Sequence, residues 1–433
     1  MINIGICGYG TVGKSVIDHI TEYKSEIMIN LGTDFDLTHV ADRSIHSKQL
    51  DYRGITKSKD PMELADNPDI SIILELIGGT SIAYELIKRA INNNKHVITA
   101  NKALIAEHGD ELFKLAKTNK VYFGFEASVA GAIPIINTIA YSMSNESIFS
   151  ITGIINGTCN YILHEMTSNE LDFSSALSKA QELGYAESDP KFDIEGIDAA
   201  HKISILSSIA YKIPLPFKNV STEGIKEITL MDIKYANELG YSIKHVGITK
   251  KDPKGLECRV HPVLVNKNNI FSKVDGVMNA IFVNSDKMGK SMLYGQGAGG
   301  EATASAVISN LTECLNYIHN INTTNLNLSG SIGTHNAEIK DIGSISSSFY
   351  LRMYAEDVPG VMAEITNILA AEDISIEAVT QHEPTELDSL IPIVMITNCV
   401  KGALIMKAID KIESLKQVKD NVYSIRVLQV DEK

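Results

Sequence analysis

From residue 1 to 130 short apolar runs alternate with amphipathic stretches. INIGICG, DLTHVAD, ISIILELIG, KHVITA and KVYFGFEA read as strands, with apolar residues at helical spacing between them. That rhythm predicts an α/β domain built on a doubly wound, Rossmann-type parallel sheet. From 131 to 320 the alternation lapses. ISITGIINGTCNYILHEM, SIKHVGITK and LECRVHPVLV mix strands and helices irregularly, which predicts an α+β domain. Residues 321–348, INTTNLNLSGSIGTHNAEIKDIGSISSS, carry few large apolar groups in their first half and read as a linker. Over 349–433, FYLRMYAED, the turn Val358-Pro359-Gly360, VMAEITNILAAED, ISIEAVTQHE, PIVMITN, ALIMKAIDKIESL and VYSIRVLQV give the order β-α-β-β-α-β of a ferredoxin-like domain.

Composition agrees with a globular protein of about three domains at roughly 150 residues each; 44% of the 433 residues are hydrophobic. A formal net charge of −14 argues against nucleic acid or an anionic membrane as the main partner. The five cysteines (Cys7, Cys159, Cys258, Cys314, Cys399) are odd in number and scattered, unlike a zinc site or a disulfide framework, so a reducing cytoplasm is expected. No apolar run is long enough to span a bilayer, and Met1 leads straight into a strand pattern.

Gly8-Tyr9-Gly10-Thr11-Val12-Gly13 follows the first strand and opens a helix. In that setting Gly8 permits the tight turn, Gly10 lets a pyrophosphate approach the backbone, and Gly13 allows close helix–strand packing, while the amides of Thr11 and Val12 face the anion. A ligand-free glycine turn would show the same letters. At the end of the second strand, Asp42 suits the free ribose hydroxyl of NAD, whereas Arg43, helped by Lys48, suits the 2′-phosphate of NADP. The reading leans to NADP with NAD tolerated. Lys102, in Thr99-Ala100-Asn101-Lys102, follows a strand and should stand at its carboxyl end, where ligands bind in such sheets. Tyr294-Gly295-Gln296-Gly297-Ala298-Gly299-Gly300 is a second glycine-rich loop feeding a helix, and Asn156-Gly157-Thr158 marks a turn before another.

The densest chemistry lies in AQELGYAESDPKFDIEGIDAAHK, residues 180–202. A helix capped by Asp172 should stop at Gly184, an acidic loop carries Glu187, Asp189 and Asp193, and a new helix should set Asp198 and Lys202 four residues apart on one face. The spacing of Ala180, Gly184-Tyr185-Ala186, Asp189-Pro190, Asp193-Ile194, Gly196, Asp198 and Lys202 resembles the homoserine dehydrogenase signature, and the resemblance extends from the amino terminus to about Leu315. It implies reversible hydride transfer between NADP or NAD and the aldehyde carbon of L-aspartate 4-semialdehyde, giving L-homoserine for threonine, methionine and isoleucine synthesis.

The same resemblance implies catalytic roles for Lys202 and Lys102, with Lys202 as proton donor, and substrate contacts from Glu187 and Asp198 with Asp193 behind them. It brings Lys102, Gly184, Gly297 and Gly299 to the cofactor beside Arg43 and the first glycine turn. A monovalent cation, sodium, is implied on main-chain oxygens of Glu126, Val129, Gly131 and Ile133. The last domain is similar to ACT regulatory modules, especially in Asp357-Val358-Pro359-Gly360-Val361. This implies threonine as inhibitor, with Asp357 and Gly360 its contacts, and a homodimer or homotetramer. Two other readings stay open: a different amino-acid semialdehyde oxidoreductase on this scaffold, and a non-catalytic nucleotide and amino-acid sensor. The presence together of Lys102, Lys202, Glu187 and Asp198 counts against the sensor.

Overall fold

Six parallel strands, β1 (Ile2–Cys7), β2 (Phe35–Ala41), β3 (Thr56–Ser58), β4 (Ile72–Glu75), β5 (His96–Thr99) and β6 (Phe123–Gly124), lie in the order β3-β2-β1-β4-β5-β6 in the computed structural model. The structure describes residues 1–50, 52, 54–319, 333, 335, 337–381 and 390–429. Every pairing in this sheet is parallel, and the chain reverses its direction of winding between β1 and β4, which opens a crevice at their carboxyl ends. Helices cover both faces, so β4 is buried at all four positions and reads as a continuous apolar run broken only by Glu75. The helix Gly300–His319, far along the chain, sends Val307, Leu311 and Leu315 into the core formed by Ile4, Ile6, Val16 and Ile20.

The chain divides into two compact units. One comprises residues 1–155, 198–220 and 278–337, the other 156–197, 221–277 and 338–433. Besides the parallel sheet, the first unit holds the antiparallel strands Ile148–Ile154, Met278–Ser285 and Lys290–Gln296, with Met278–Ser285 in the middle. It also holds the helix Ile197–Tyr211, in which thirteen of fifteen residues are buried.

In the second unit the strands Tyr241–Asp252 and Gly255–Asn266 form an antiparallel pair in register from end to end. The strand Val418–Val427 joins the latter in parallel, matching Val263 with Arg426. Phe349–Glu356, Leu390–Thr397 and Ile376–Gln381 follow in antiparallel order. Successive residues of these strands face opposite sides. Leu351, Met353, Ile393 and Met395 pack with Ile365, Leu369 and Ile409 of the two helices of the β-α-β-β-α-β domain. Tyr350, Val394, Ile396 and Ile425 instead share a core with Ile162, Ala176 and Ile233. At this second face Asp232, fully buried, receives the Arg352 guanidinium at 2.7 Å and the Tyr350 hydroxyl at 2.9 Å. The terminal domain is thus built into its unit: a cut near Ser344 would bare this core and leave Asp232 without its cation.

Half of the expected linker, residues 321–348, is not described. Residues 321–332, 334 and 336 lie outside the described residues. Beyond them, Leu256 donates to the Glu338 carbonyl and Lys340 to that of Leu256, Asp341 caps a turn at Ile342–Ser344, and Ser346–Ser347 pairs with Val400–Lys401. Residues 338–347 are therefore fixed by backbone hydrogen bonds. No described helix is long and apolar enough to cross a membrane.

Candidate functional site

The glycine turn after β1 has the backbone that a dinucleotide requires. Gly8 sits at φ 104°, and a Cβ there would lie 2.4 Å from the Leu76 carbonyl oxygen; one on Gly13 would lie 2.1 Å from that of Gly8. Gly10 faces open space and provides no side-chain cap to the helix Thr11–Leu31, so the first amides point at whatever occupies the crevice. The second glycine loop arrives at the same place. A Cβ on Gly300 would lie 2.9 Å from the Thr11 side chain, Gly299 is at φ 123°, and Gly297 packs against the buried Asn279 amide. The two helix amino termini therefore converge at one spot.

Asp42 and Arg43 present separate tasks. The Asp42 carboxylate accepts from the Tyr9 amide at 2.9 Å, the Ser44 amide and hydroxyl at 2.8 and 2.7 Å, and the Lys48 ammonium at 3.0 Å. Although burial opposes it, these donors hold the carboxyl well below its usual range. Lys48 also donates to the Tyr9 carbonyl at 2.8 Å, so its charge serves Asp42 and the glycine turn. Arg43 is exposed and makes no hydrogen bond or ion pair among the described residues.

Lys102 opens the helix Lys102–Asn119, which Asn101 caps by accepting from the Leu104 amide at 3.1 Å. Its ammonium lies 3.0 Å from Asp198 Oδ1. On the other side Lys202 donates to Asp198 Oδ2 at 2.7 Å and to the Ile155 carbonyl at 2.7 Å. The helical spacing supplies the second pair; the fold brings up Lys102. The Asp198 side chain is 3% exposed, Lys202 8% and Lys102 34%, so the group is buried at one end and open at the other. His201 packs on Phe217, and burial, with the two neighbouring ammoniums, pushes its imidazole down to about 4 against the opposing pull of Asp198. It is neutral near pH 7.

The second unit holds Gly184, Glu187 and Asp193. Asp172 caps the helix Phe173–Glu182 and Gly184, at φ 76°, stands exposed just past its end. Glu187 is exposed, with its carbonyl receiving the Gln181 side chain at 3.0 Å. Asp193 is held by Asn156 at 2.7 Å, while Asn156 also caps the helix Gly157–Ser168 through the Cys159 amide, and Thr158 donates to the Tyr185 carbonyl at 2.6 Å. The sequence marks a turn at Asn156, in a segment that resembles a family segment near the substrate, but its grip on Asp193 has no local signal.

The segment 126–133 is buried except for Ala132. Ala130 and Gly131 take φ 56° and 47°, and a Cβ on Gly131 would lie 2.9 Å from the Gly297 carbonyl oxygen. The carbonyls of Glu126 and Ile133 each accept one amide, from Val129 and Ile135, and a carbonyl oxygen has two lone pairs. The Glu126 and Ile133 carbonyls thus each keep a lone pair beyond that bond. The Glu126 carboxylate has a task that the sequence did not disclose: it accepts from the amides of Ile136 and Asn137 at 2.9 and 2.7 Å, and burial, with Glu313 nearby, raises it to about 8.

A glycine cradle at the crevice of this sheet, with an ammonium–carboxylate–ammonium group reached from the end of β5, defines the chain as a nicotinamide-dinucleotide-dependent oxidoreductase. Comparison with known proteins fixes the family. The model for homoserine dehydrogenase matches residues 134–312, that for the homoserine dehydrogenase NAD binding domain 8–126, and that for the ACT domain 349–414. The chain is 42% identical to the homoserine dehydrogenase of Pseudomonas aeruginosa over 99% of both proteins. A homoserine dehydrogenase structure from Thiobacillus denitrificans matches with a TM-score of 0.93 at 40% identity, covering 99% of this chain and 98% of that one. A hyperthermophilic archaeal homoserine dehydrogenase in complex with NADPH matches at 0.61 and 28% identity over 72% of this chain and 97% of that one. The chain belongs to the homoserine dehydrogenase family.

Proposed function

We propose that Lys202 is the proton carrier and Lys102 its electrostatic partner in the reversible interconversion of L-homoserine and L-aspartate 4-semialdehyde. The observation that carries this is Asp198, buried and held between the two ammoniums. The bound dinucleotide supplies the hydride in reduction and accepts it in oxidation. As negative charge gathers on the aldehyde oxygen, Lys202 stabilises it and passes over a proton; in oxidation the neutral amine takes the hydroxyl proton back. Glu187 and Asp198 receive the amino and hydroxyl groups of homoserine, and Asp193, held by Asn156, orients the loop that carries Glu187.

NADP is the preferred cofactor in this reading, because Asp42 is committed to Tyr9, Ser44 and Lys48 while Arg43 remains available to a 2′-phosphate. Gly184 completes the cofactor contacts. Residues 1–130 serve as the cofactor domain and 131–320 as the catalytic and dimerisation domain. Carbonyls of Glu126, Val129, Gly131 and Ile133 hold sodium. The domain 349–433 binds threonine at Asp357 and Gly360, where Gly360, at φ 103°, opens the helix Val361–Ala371. Pairing of such domains makes the protein a homodimer or homotetramer, and its five scattered cysteines suit the cytoplasm. The test is homoserine-dependent reduction of NADP and NAD, compared with related hydroxy amino acids. Absence of homoserine-dependent turnover with both cofactors overturns the reading.

A further inference from the structure

Glu75 ends β4, is fully buried, and forms no ion pair among the described residues. Such a carboxylate in the middle of a parallel sheet needs a reason, because burial without a cation is costly. Its donors show one. Oε1 accepts from the Ile77 amide at 2.8 Å, and Oε2 from the Thr99 hydroxyl, at the end of β5, at 2.5 Å. Thr99 Oγ1 accepts in turn from the Asn101 amide at 2.9 Å. Asn101 then spends both ends of its side chain on the same region: Nδ2 donates to the Gly79 carbonyl at 2.6 Å, and Oδ1 caps the helix that begins at Lys102. One carboxyl group therefore ties together the loops that leave β4 and β5. The first of these passes under the glycine turn, where Leu76 meets Gly8, and the second delivers Lys102 to Asp198.

We infer that Glu75 is a positioning residue for the reaction, fixing Lys102 through Thr99 and Asn101 at the floor of the cofactor crevice. The inference rests on the role proposed for Lys102. Burial raises the carboxyl to about 7 even though Thr99, Ile77 and Asn101 favour its charged form, which agrees with a group retained for its hydrogen bonds in spite of its environment. The pyrophosphate cradle itself, from Gly8 to Gly13, takes no hydrogen bond from Glu75, so substitution should act on turnover more than on cofactor affinity.

The test uses the full chain carrying Glu75→Gln, Thr99→Val, both together, and Lys102→Ala. Turnover, KM for homoserine, NADPH affinity by fluorescence titration and thermal stability are measured for each. Glu75→Gln and Thr99→Val should each lower kcat by about 10–100-fold, the scale of an ångström-sized misplacement of a reacting group. NADPH affinity should change by less than about threefold, and the double variant should be no worse than the poorer single one, because both break one chain of bonds. If Glu75→Gln fails to fold, Thr99→Val carries the test alone. Lowered stability with kcat unchanged in the folded variants would reduce Glu75 to a packing element and overturn the inference. If Lys102→Ala lowers turnover while Glu75→Gln and Thr99→Val do not, this inference alone fails; if Lys102→Ala is also neutral, the role proposed for Lys102 fails with it.

Discussion

Replacing Lys202 by alanine separates proton transfer from cofactor binding. Loss of a positioned general acid costs about 10²–10⁴ in rate, which corresponds to roughly 3–5 kcal/mol of barrier. Folding is affected by the same change, since the Ile155 carbonyl loses a donor and Asp198 loses one of its two cations. Stranding a buried carboxylate completely costs about 3–5 kcal/mol, but Asp198 keeps Lys102 at 3.0 Å, so the loss of stability should be smaller than that and the variant should fold. Turnover is measured at saturating homoserine and NADP, the NADPH dissociation constant by fluorescence titration, and stability by urea melting. The expected result is turnover down by about 10²–10⁴ with NADPH affinity within about threefold of the parent. Lys202→Arg sharpens the test: a guanidinium keeps the charge but does not give up a proton near neutral pH, so it should recover stability and leave turnover low. Near-parental turnover in either variant would refute the assignment of Lys202 as proton carrier.

Arg43→Ala should weaken NADP about tenfold or more, the scale of one lost charge-assisted contact, while NAD changes little; equal losses in titrations of both cofactors would place Arg43 outside the adenosine pocket. Glu126, raised to about 8 by burial, binds its proton more tightly folded than unfolded, so its contribution to stability is fully present below about pH 4.5 and lost as pH rises through 8. Glu126→Gln should therefore flatten the decline in urea-melt stability between pH 5 and 8 by up to roughly 1.4 kcal/mol per pH unit, and unchanged slopes would contradict the buried protonated state. Threonine should inhibit the full chain, with Asp357→Ala raising the half-inhibitory concentration about tenfold through loss of a charged contact to the amino group; a full chain indifferent to threonine would remove the effector assignment.

Strands and helices were legible where the pattern is local. INIGIC, FDLTHVA and IILE fall where apolar runs predict them, and both ends of the 173–182 helix follow from Asp172 and Gly184. The assembly of those elements was not. Nothing near Val263 announces that it pairs with Arg426, and nothing in FYLRMYAE shows that Tyr350 and Leu351 serve different cores. Alternation gives the two faces of a strand, but the Tyr350 face is covered by Ile162, Ala176 and Ile233, more than a hundred residues away. The attachment of the terminal domain through Asp232 and Arg352 could not be read from its composition.

The same limit explains what the candidate site disclosed. Lys202 and Asp198 were readable as a pair because four residues make one helical turn, yet that spacing alone describes an exposed surface pair worth roughly 0.3–0.5 kcal/mol. Burial changes the meaning. With Lys102 added from the end of β5 and His201 neutral, the cluster carries two ammoniums against one carboxylate, a local net charge of +1 inside a chain whose formal total is −14. In the proposed reaction an incipient alkoxide is stabilised by that local excess, in a setting where few water dipoles compete with it. Composition argues against anionic partners in bulk and the folded cluster favours an anionic transition state, and both hold because the first describes the solvated surface and the second a group of three side chains of which Asp198 and Lys202 are buried.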